Sequence, residues 1–479
     1  MTGDLTTEQR RALDLVLAGR SIFLTGNAGT GKSHTLRVLL SSLERRNPPG
    51  SVVLTASTWL AASSLGGMSL HAFAGTGGEG PVEAAVKSVL RNERVLRQWR
   101  ACRVLVVDEV SMVHSDFFDK VEEMARRIRG SPAPFGGIQL VLTGDFFQLP
   151  PVQRNKGCVP RPSASWICTG PMHAREDGTR IGFPHMSHER SAACVRAGRE
   201  RSASSPVPRN RSESPRFCFQ SGAWARCVQE SVVLTRVFRQ SDLEFIGILN
   251  RIRTGEPQPD DLARLRQLCT GAGAGGSAIK ATQLQTHRQD TDRLNLEQLD
   301  RLPGSARAFP ALDAGDSALL GQLASSCPAV KSLRLKEGAQ VMLVRTIDHG
   351  KGLINGSRGV VEGFDQGLPV VRFANGVRKT VHREKWTLKS GPVQAERSQV
   401  PLQLAWAISV HKSQGMSLDA VEINLERAFE PGMAYVALSR ARSPQGLKLV
   451  GGIDPRALQA DPVVKEFYRA IHAGTRAAR

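Results

Sequence analysis

The octet Gly26-Asn27-Ala28-Gly29-Thr30-Gly31-Lys32-Ser33 fits the spacing G-x-x-x-x-G-K-[ST], in which glycines let successive backbone N–H groups converge on a polyphosphate. The helix that begins there adds its positive dipole end. Lys32 then reaches the β- and γ-phosphates, and the Ser33 hydroxyl ligates a Mg²⁺ that bridges them. Two further sites carry matching chemistry. Asp108-Glu109 follows the apolar run Arg103 to Val107; Asp108 suits a hold on Mg²⁺, and Glu109 suits polarising the attacking water. After Ile138 to Leu142, the block Thr143-Gly144-Asp145-Phe146-Phe147-Gln148 offers Gln148 as a neutral sensor of the γ-phosphate. An acidic pair after one strand is ordinarily a helix cap or surface charge. Two such strand-end sites together with a phosphate loop specify nucleoside triphosphate hydrolysis.

These residues need an open parallel sheet, because such a sheet gathers the carboxyl ends of its strands at one edge. Ser21-Ile22-Phe23-Leu24 reads as the strand before the loop and Thr35 to Leu40 as the helix after it. Arg103 to Val107 and Ile138 to Leu142 read as strands buried on both faces. Ser115 to Gly130 reads as a helix whose Phe117, Phe118, Val121, Ala125 and Ile128 face the core. The fold class is α/β.

The 479 residues allow two to four domains, and the formal charge of +20 favours polyanionic partners. No apolar run approaches the ~20 residues that span a bilayer, which argues against a membrane as the partner. With only two tyrosines in the chain, phosphate contacts are expected to outweigh base stacking. Part of the charge sits in residues 154 to 215, where eleven Lys or Arg oppose five Asp or Glu. That stretch is rich in Arg, Ser and Pro without apolar periodicity, so it reads as a disordered insertion, either a natural loop or a retained intron. It holds Cys158, Cys168, Cys194, His173, His185 and His188, but no C-x₂₋₄-C pair, which argues against structural zinc. The other cysteines read as reduced thiols.

The segment DEVSMVHSDFFDKVEEMARRIRGSPAPFGGIQLVLTGDFFQLPPV closely resembles the signature block of the petite-integration-frequency (Pif) family of superfamily-one DNA helicases. Further blocks follow in the family's order: LTTEQ with the adenine-reading Gln9, ASTWLAASSLGGMSLHAFAG, LTRVFRQSD, LINGSRGVV, PLQLAWAISVHKSQGMSLDAVEINL and AYVALSRARSPQGLKL. The resemblance implies two RecA-like lobes with a small β-rich, SH3-like subdomain inserted in the second. It places lobe 1 at residues 1–153, with a small helical element at 76–100, then the insertion at 154–216. Lobe 2 would occupy 217–359 and 401–455 around the subdomain at 360–400, and 456–479 reads as a helix and a basic end of no clear role. Within that part of the chain, Lys280 to Leu284, Ala339 to Val344, Leu404 to Ser409, Val421 to Asn424 and Leu447 to Val450 read as strands. A hairpin is expected around Asn375-Gly376, between Val371 to Phe373 and Val377 to Trp386, and Gly271 to Gly276 as a flexible loop.

The activity implied is ATP-driven 5′-to-3′ translocation on single-stranded and forked DNA in genome maintenance, by a monomer or a DNA-induced dimer in the nucleus or the mitochondrion. Arg239 and Arg440 match the arginines that the family's second lobe brings to the γ-phosphate. Thr58, His71, His411, Lys412, Ser413 and Gln414 would lie nearest the DNA strand, along with Ala434, Tyr435, Val436, Ala437, Leu438, Ser439, Ala441 and Arg442. Trp59 departs from the family's glycine, and would either strain the backbone there or offer a base-stacking face. The alternatives are a translocase or RNA helicase on the same scaffold, or a nucleic-acid-binding protein with an impaired motor. The sequence begins so close to Gln9 that no targeting segment is expected before it.

Overall fold

Six parallel strands run in the order β3-β2-β4-β5-β1-β6 across the first sheet of the computed structural model. They are β1 (Ile22–Gly26), β2 (Val52–Ala56), β3 (Met68–Ser69), β4 (Val104–Asp108), β5 (Gln139–Thr143) and β6 (Glu230–Leu234). The structure describes residues 5–57, 61–62, 66–76, 80–151, 217–269, 279–348, 350–390 and 393–477. Thr58, Trp59, the glycine loop at 271–276 and the insertion's cysteines and histidines lie outside these residues.

Alternate side chains of the central strands feed two separate cores. Ile22, Leu24, Val104, Val106 and Val141 pack under the helices Thr7–Leu17 and Lys32–Arg46. Phe23, Leu105, Val107, Leu140 and Leu142 pack on the other side, against Trp99, Phe117, Phe118 and Val121. This double cover explains the unbroken apolar runs read in the sequence. The helix Ser115–Arg129 ends at Gly130, whose φ of 62° suits a left-handed cap.

The first lobe reaches past its expected boundary. Residues 217 to 234 belong to the first lobe: Phe217 and Trp224 are buried in its core, and β6 pairs with β1 from Ile22 through Gly26. A sheet-edge strand that follows a long insertion carries no local mark of which sheet it joins. The C-terminal helix read from the sequence is present as Pro462–Ala477, and it packs on the first lobe, where its Val464 and Tyr468 are buried in the same core.

The second lobe is built on β7 (Thr282–Gln285) and three later strands. Between them lie β8 (Arg307–Pro310), β9 (Leu312–Gly315), β10 (Ser332–Leu335), β11 (Gln340–Leu343), β12 (Arg358–Asp365), β13 (Leu368–Phe373), β14 (Arg378–Thr380), β15 (Glu384–Ser390), β16 (Val393–Gln399) and β17 (Leu402–Leu404). The lobe resumes with β18 (Ala407–Ser409), β19 (Val421–Leu425) and β20 (Leu447–Ile453), in the parallel order β18-β7-β19-β20. The run Leu404 to Ser409 is therefore two strands in different sheets: β17 pairs with β11, and β18 with β7. Likewise β13 and β14 form the expected hairpin, but Val377 to Trp386 breaks after Thr380, because β15 turns away to pair with β16. The five-stranded antiparallel sheet β14-β13-β12-β11-β17 draws on residues well outside 360–400.

Candidate active site

The phosphate loop leaves the buried end of β1 and is covered from above by residues that follow β6 and by the second lobe. Phe238 N donates to Gly29 O at 2.8 Å. Gly29 has φ 82°, and a β-carbon on it would fall 2.5 Å from that of Arg239, so only glycine allows this approach. From the second lobe, Tyr435 Oη accepts a 2.7 Å hydrogen bond from Ala28 N, and Asn250 Oδ1 one of 2.5 Å from Asn27 Nδ2. Thr30 Oγ1 donates to Asn27 O, closing the loop on itself.

Lys32 Nζ donates to Gly26 O at 2.7 Å and to Asn27 O at 2.9 Å, and burial lowers its pKa. Ser33 follows in the first turn of the helix Lys32–Arg46. Gln9 is buried and caps its own helix by accepting from Thr6 N. A β-carbon on Gly31, at φ 85°, would lie 3.0 Å from Gln9 Nε2 and 3.6 Å from the Phe238 ring. Phe238 itself is 51% exposed, with the Arg236 guanidinium over its face at 5.0 Å. An exposed phenyl and a glutamine amide thus flank the start of the helix, an arrangement suited to a purine.

At the ends of β4 and β5, Asp108 Oδ1 accepts from Glu109 N at 2.9 Å and from Thr143 Oγ1 at 3.3 Å. Burial, with Glu109 as the next cause, pushes its pKa up to about 7. A carboxylate so placed gains from a cation, and the Asp108 carboxylate and the Ser33 hydroxyl are oxygen donors of the kind a divalent ion takes. Among the described residues no cluster of three or more His, Cys, Asp or Glu is arranged to hold a metal alone. Glu109 has left-handed backbone angles, φ 51° and ψ 45°, a conformation costing a non-glycine residue roughly 1–2 kcal/mol. Its Oε2 accepts a 2.9 Å hydrogen bond from Gln414 Nε2.

Gln148 is buried, with Nε2 3.4 Å from Asp145 Oδ2. Arg253 grips that carboxylate in a fork, Nε to Oδ2 at 3.0 Å and the second nitrogen to Oδ1 at 2.8 Å. Burial alone would raise the pKa of Asp145, but the charge and hydrogen bonds of Arg253, with Lys32 and Gln148, together outweigh it and hold it below the usual range.

Arg239 and Arg440 stand side by side at the cleft. Arg239 is held by Ser439 O at 2.8 Å, and burial lowers its pKa. Arg440 is 1% exposed and donates to Val436 O, Ser413 O, Met416 O and Ser439 Oγ. Burial, then the neighbouring Arg239, pulls its pKa down to about 9, which leaves it charged at neutral pH.

The expected DNA contacts divide. His71 is exposed and stacks on Phe117 at 4.0 Å; His411 and Lys412 are partly exposed, and Arg442 is exposed beside Asp419. Others are corrected by burial. Ala434, Tyr435, Val436, Ala437, Leu438, Ser439 and Ala441 are at most 2% exposed, because the helix Met433–Leu438 is part of the second lobe's core. Ser413 is fully buried and spends its hydroxyl on Val410 O, while Gln414 turns to Glu109 rather than outward. Sequence reading missed Phe238, Asn250, Arg253 and Tyr468. Phe238 adjoins an identified arginine, which was the one usable signal; the others lie on helices with no motif of their own.

Phosphate loop, acidic strand ends and an opposed pair of arginines on two α/β sheets define a two-lobed RecA-like NTPase. The PIF1-like helicase model matches residues 4–166, and the 2B-domain model of DNA helicase Pif1 matches 318–364. The chain is 42% identical over 475 residues to the ATP-dependent DNA helicase PIF1 of Homo sapiens, covering 98% of this chain and 64% of that protein. The crystal structure of Pif1 helicase from Candida albicans is similar with a TM-score of 0.76 at 33% identity, over 98% of this chain and 99% of that one. The Pif1 helicase from Bacteroides in complex with ADP-AlF3 and ssDNA is similar at 0.63 and 27%, over 98% of each chain. This chain belongs to the PIF1-like helicase family. It spans less than two thirds of the length of the human relative, 64%.

Proposed function

We propose that the chain is an ATP- and Mg²⁺-dependent DNA helicase that moves 5′ to 3′ on single-stranded DNA and opens forked duplexes in genome maintenance. The convergence of Arg239 and Arg440 with Glu109 over the phosphate loop carries this reading, because it makes fuel binding and lobe closure one event.

Phosphates entering the loop compete for Ala28 N–H with the Tyr435 hydroxyl, and for Lys32 with the carbonyls of Gly26 and Asn27. Lys32 and the arginines neutralise charge that grows on the transferring phosphoryl group. Glu109 accepts the proton of the attacking water. Mg²⁺, held by Ser33 and Asp108, supplies further charge neutralisation when bound. Gln148 reports the γ-phosphate to Asp145, and through Arg253 to the second lobe. Gln9 and Phe238 receive the adenine. The strand itself follows His71, His411, Lys412 and Arg442, and the five-stranded sheet is assigned to the SH3-like clamp. The enzyme acts as a monomer or a DNA-induced dimer, in the nucleus, the mitochondrion or both. Among the described residues no helix is long and apolar enough to cross a membrane.

Phosphate release by purified protein, with and without single-stranded DNA, tests the motor; strand displacement from matched 5′-tailed DNA, 3′-tailed DNA and RNA tracks tests its direction and substrate. DNA-stimulated hydrolysis with unwinding of the 5′-tailed DNA alone is expected. Equal unwinding on RNA would make it a general helicase, and hydrolysis without unwinding would make it a translocase.

A further inference from the structure

We propose that Gln414 is a positioning residue for hydrolysis, holding Glu109 with its amide nitrogen and the attacking water with its amide oxygen; this deepens the hydrolase reading above and rests on it. Gln414 Nε2 donates to Glu109 Oε2 at 2.9 Å. A carboxylate only accepts, so the amide must turn its nitrogen toward Glu109, which forces Oε1 to the other side. That oxygen is shielded from solvent and has no hydrogen-bond partner. A buried acceptor left unmatched is unfavourable, a cost expected where a ligand's donor completes the set in the working state.

The mounting supports the assignment. Gln414 lies in a turn closed by Met416 N donating to Ser413 O, and Arg440 donates to the carbonyls on both sides of it, Ser413 O and Met416 O. A β-carbon on Gly415 would sit 3.8 Å from Glu109 Oε1, so the turn lies directly against the carboxylate. The arginine that meets the γ-phosphate and the glutamine that holds the base therefore move as one piece. His411 and Lys412 immediately precede this piece, so strand binding there bears on the orientation of Glu109.

In the reaction the water oxygen bonds to the γ-phosphorus as the bond from that phosphorus to the β,γ-bridging oxygen breaks. ADP leaves with that electron pair. One water proton passes to Glu109 while the other O–H donates to Gln414 Oε1, and inorganic phosphate is the second product. Glu109 without Gln414 keeps its basicity and loses its aim.

The test compares Gln414→Ala and the isosteric Gln414→Met with the parent protein, each also in a Glu109→Gln background. DNA-stimulated kcat is expected to fall about 10–100-fold, the scale set by a misaimed catalytic group, with KM for ATP and single-strand affinity within about twofold. In the Glu109→Gln background the same changes are expected to cost nothing further, since the group they orient is gone. Gln414→Met keeps the volume should the alanine variant fail to fold. Unchanged kcat, a loss confined to KM, or an equal loss in both backgrounds would overturn the proposal while leaving the hydrolase intact. A parent protein that releases no phosphate with DNA present would remove the hydrolase reading itself, and this one with it.

Discussion

The phenolic oxygen of Tyr468 lies 2.7 Å from Thr25 Oγ1, joining the C-terminal helix to the end of β1, just before the phosphate loop. The same oxygen accepts from Phe146 N at 3.2 Å and lies 3.3 Å from Asp145 Oδ1, while the ring stacks on Phe147 at 4.7 Å. One side chain from the C-terminal helix therefore ties together the strand that leads into the phosphate loop and the block Asp145-Phe146-Phe147 after β5. Burial raises the phenol's pKa, so it is neutral and able to donate at all working pH values.

Tyr468→Phe keeps the ring and removes the hydroxyl, leaving buried Thr25 and Phe146 groups short of a partner. The expected loss is about 1–3 kcal/mol of unfolding free energy, read from urea titration with an unchanged m-value. A shift below about 0.5 kcal/mol would mean that the hydroxyl contributes packing alone.

The Asp145–Arg253 pair predicts how stability responds to acid. The Asp145 carboxyl is held below its unfolded value of about 3.9. Its contribution is therefore complete above roughly pH 4 and is lost as pH falls through the lower folded value. Asp145→Asn, which strands a buried guanidinium, is expected to cost about 3–5 kcal/mol at neutral pH. That gap should narrow below roughly pH 4, where the parent loses its own pair and the variant has nothing to titrate. A gap that is constant from neutral pH to pH 3 would show that the pair is not what the substitution removed.

What could be read from sequence followed the reach of local patterns. The loop, β4 and β5 are contiguous apolar runs ending in chemistry, and their double burial leaves few alternatives for runs such as Val104 to Val107. β6 and the helix carrying Tyr468 have ordinary local patterns, and only long-range packing decides that they belong to the first lobe. The split between β17 and β18 was equally hidden, because Ala405 and Trp406 look like the interior of one strand. Gln414 and Tyr435 sat in blocks read as DNA-binding. No spacing rule says which face of such a block turns to the nucleotide.

Lys32→Ala is expected to lower ATP turnover at least ~100-fold, since it removes a charge that the transferring phosphoryl group needs. Single-strand affinity should stay within about threefold, because Lys32 lies beneath the loop on Gly26 and Asn27 while His71, His411 and Arg442 are on the surface. Filter binding or anisotropy alongside phosphate release measures both quantities. A parallel fall in the two would mean that loop and strand share one surface.

Arg440 separates a role in structure from a role in catalysis. Four of the acceptors it meets belong to its own lobe, namely Val436 O, Ser413 O, Met416 O and Ser439 Oγ, and a guanidinium has five donors. One N–H is therefore left over for the γ-phosphate in the proposed mechanism, with the other four holding the side chain in place. Arg440→Ala should cost stability as well as turnover, because four acceptors lose a donor, whereas Arg440→Lys should recover part of the stability and little of the turnover, since an ammonium cannot reproduce the fork. A fall in kcat of about 10³-fold or more is expected for both, with KM for ATP changed only a few-fold, as for a charge partner that matters most in the transition state. If the lysine variant regained full turnover, Arg440 would be acting as a distant positive charge, and the directed N–H would have no part in the reaction.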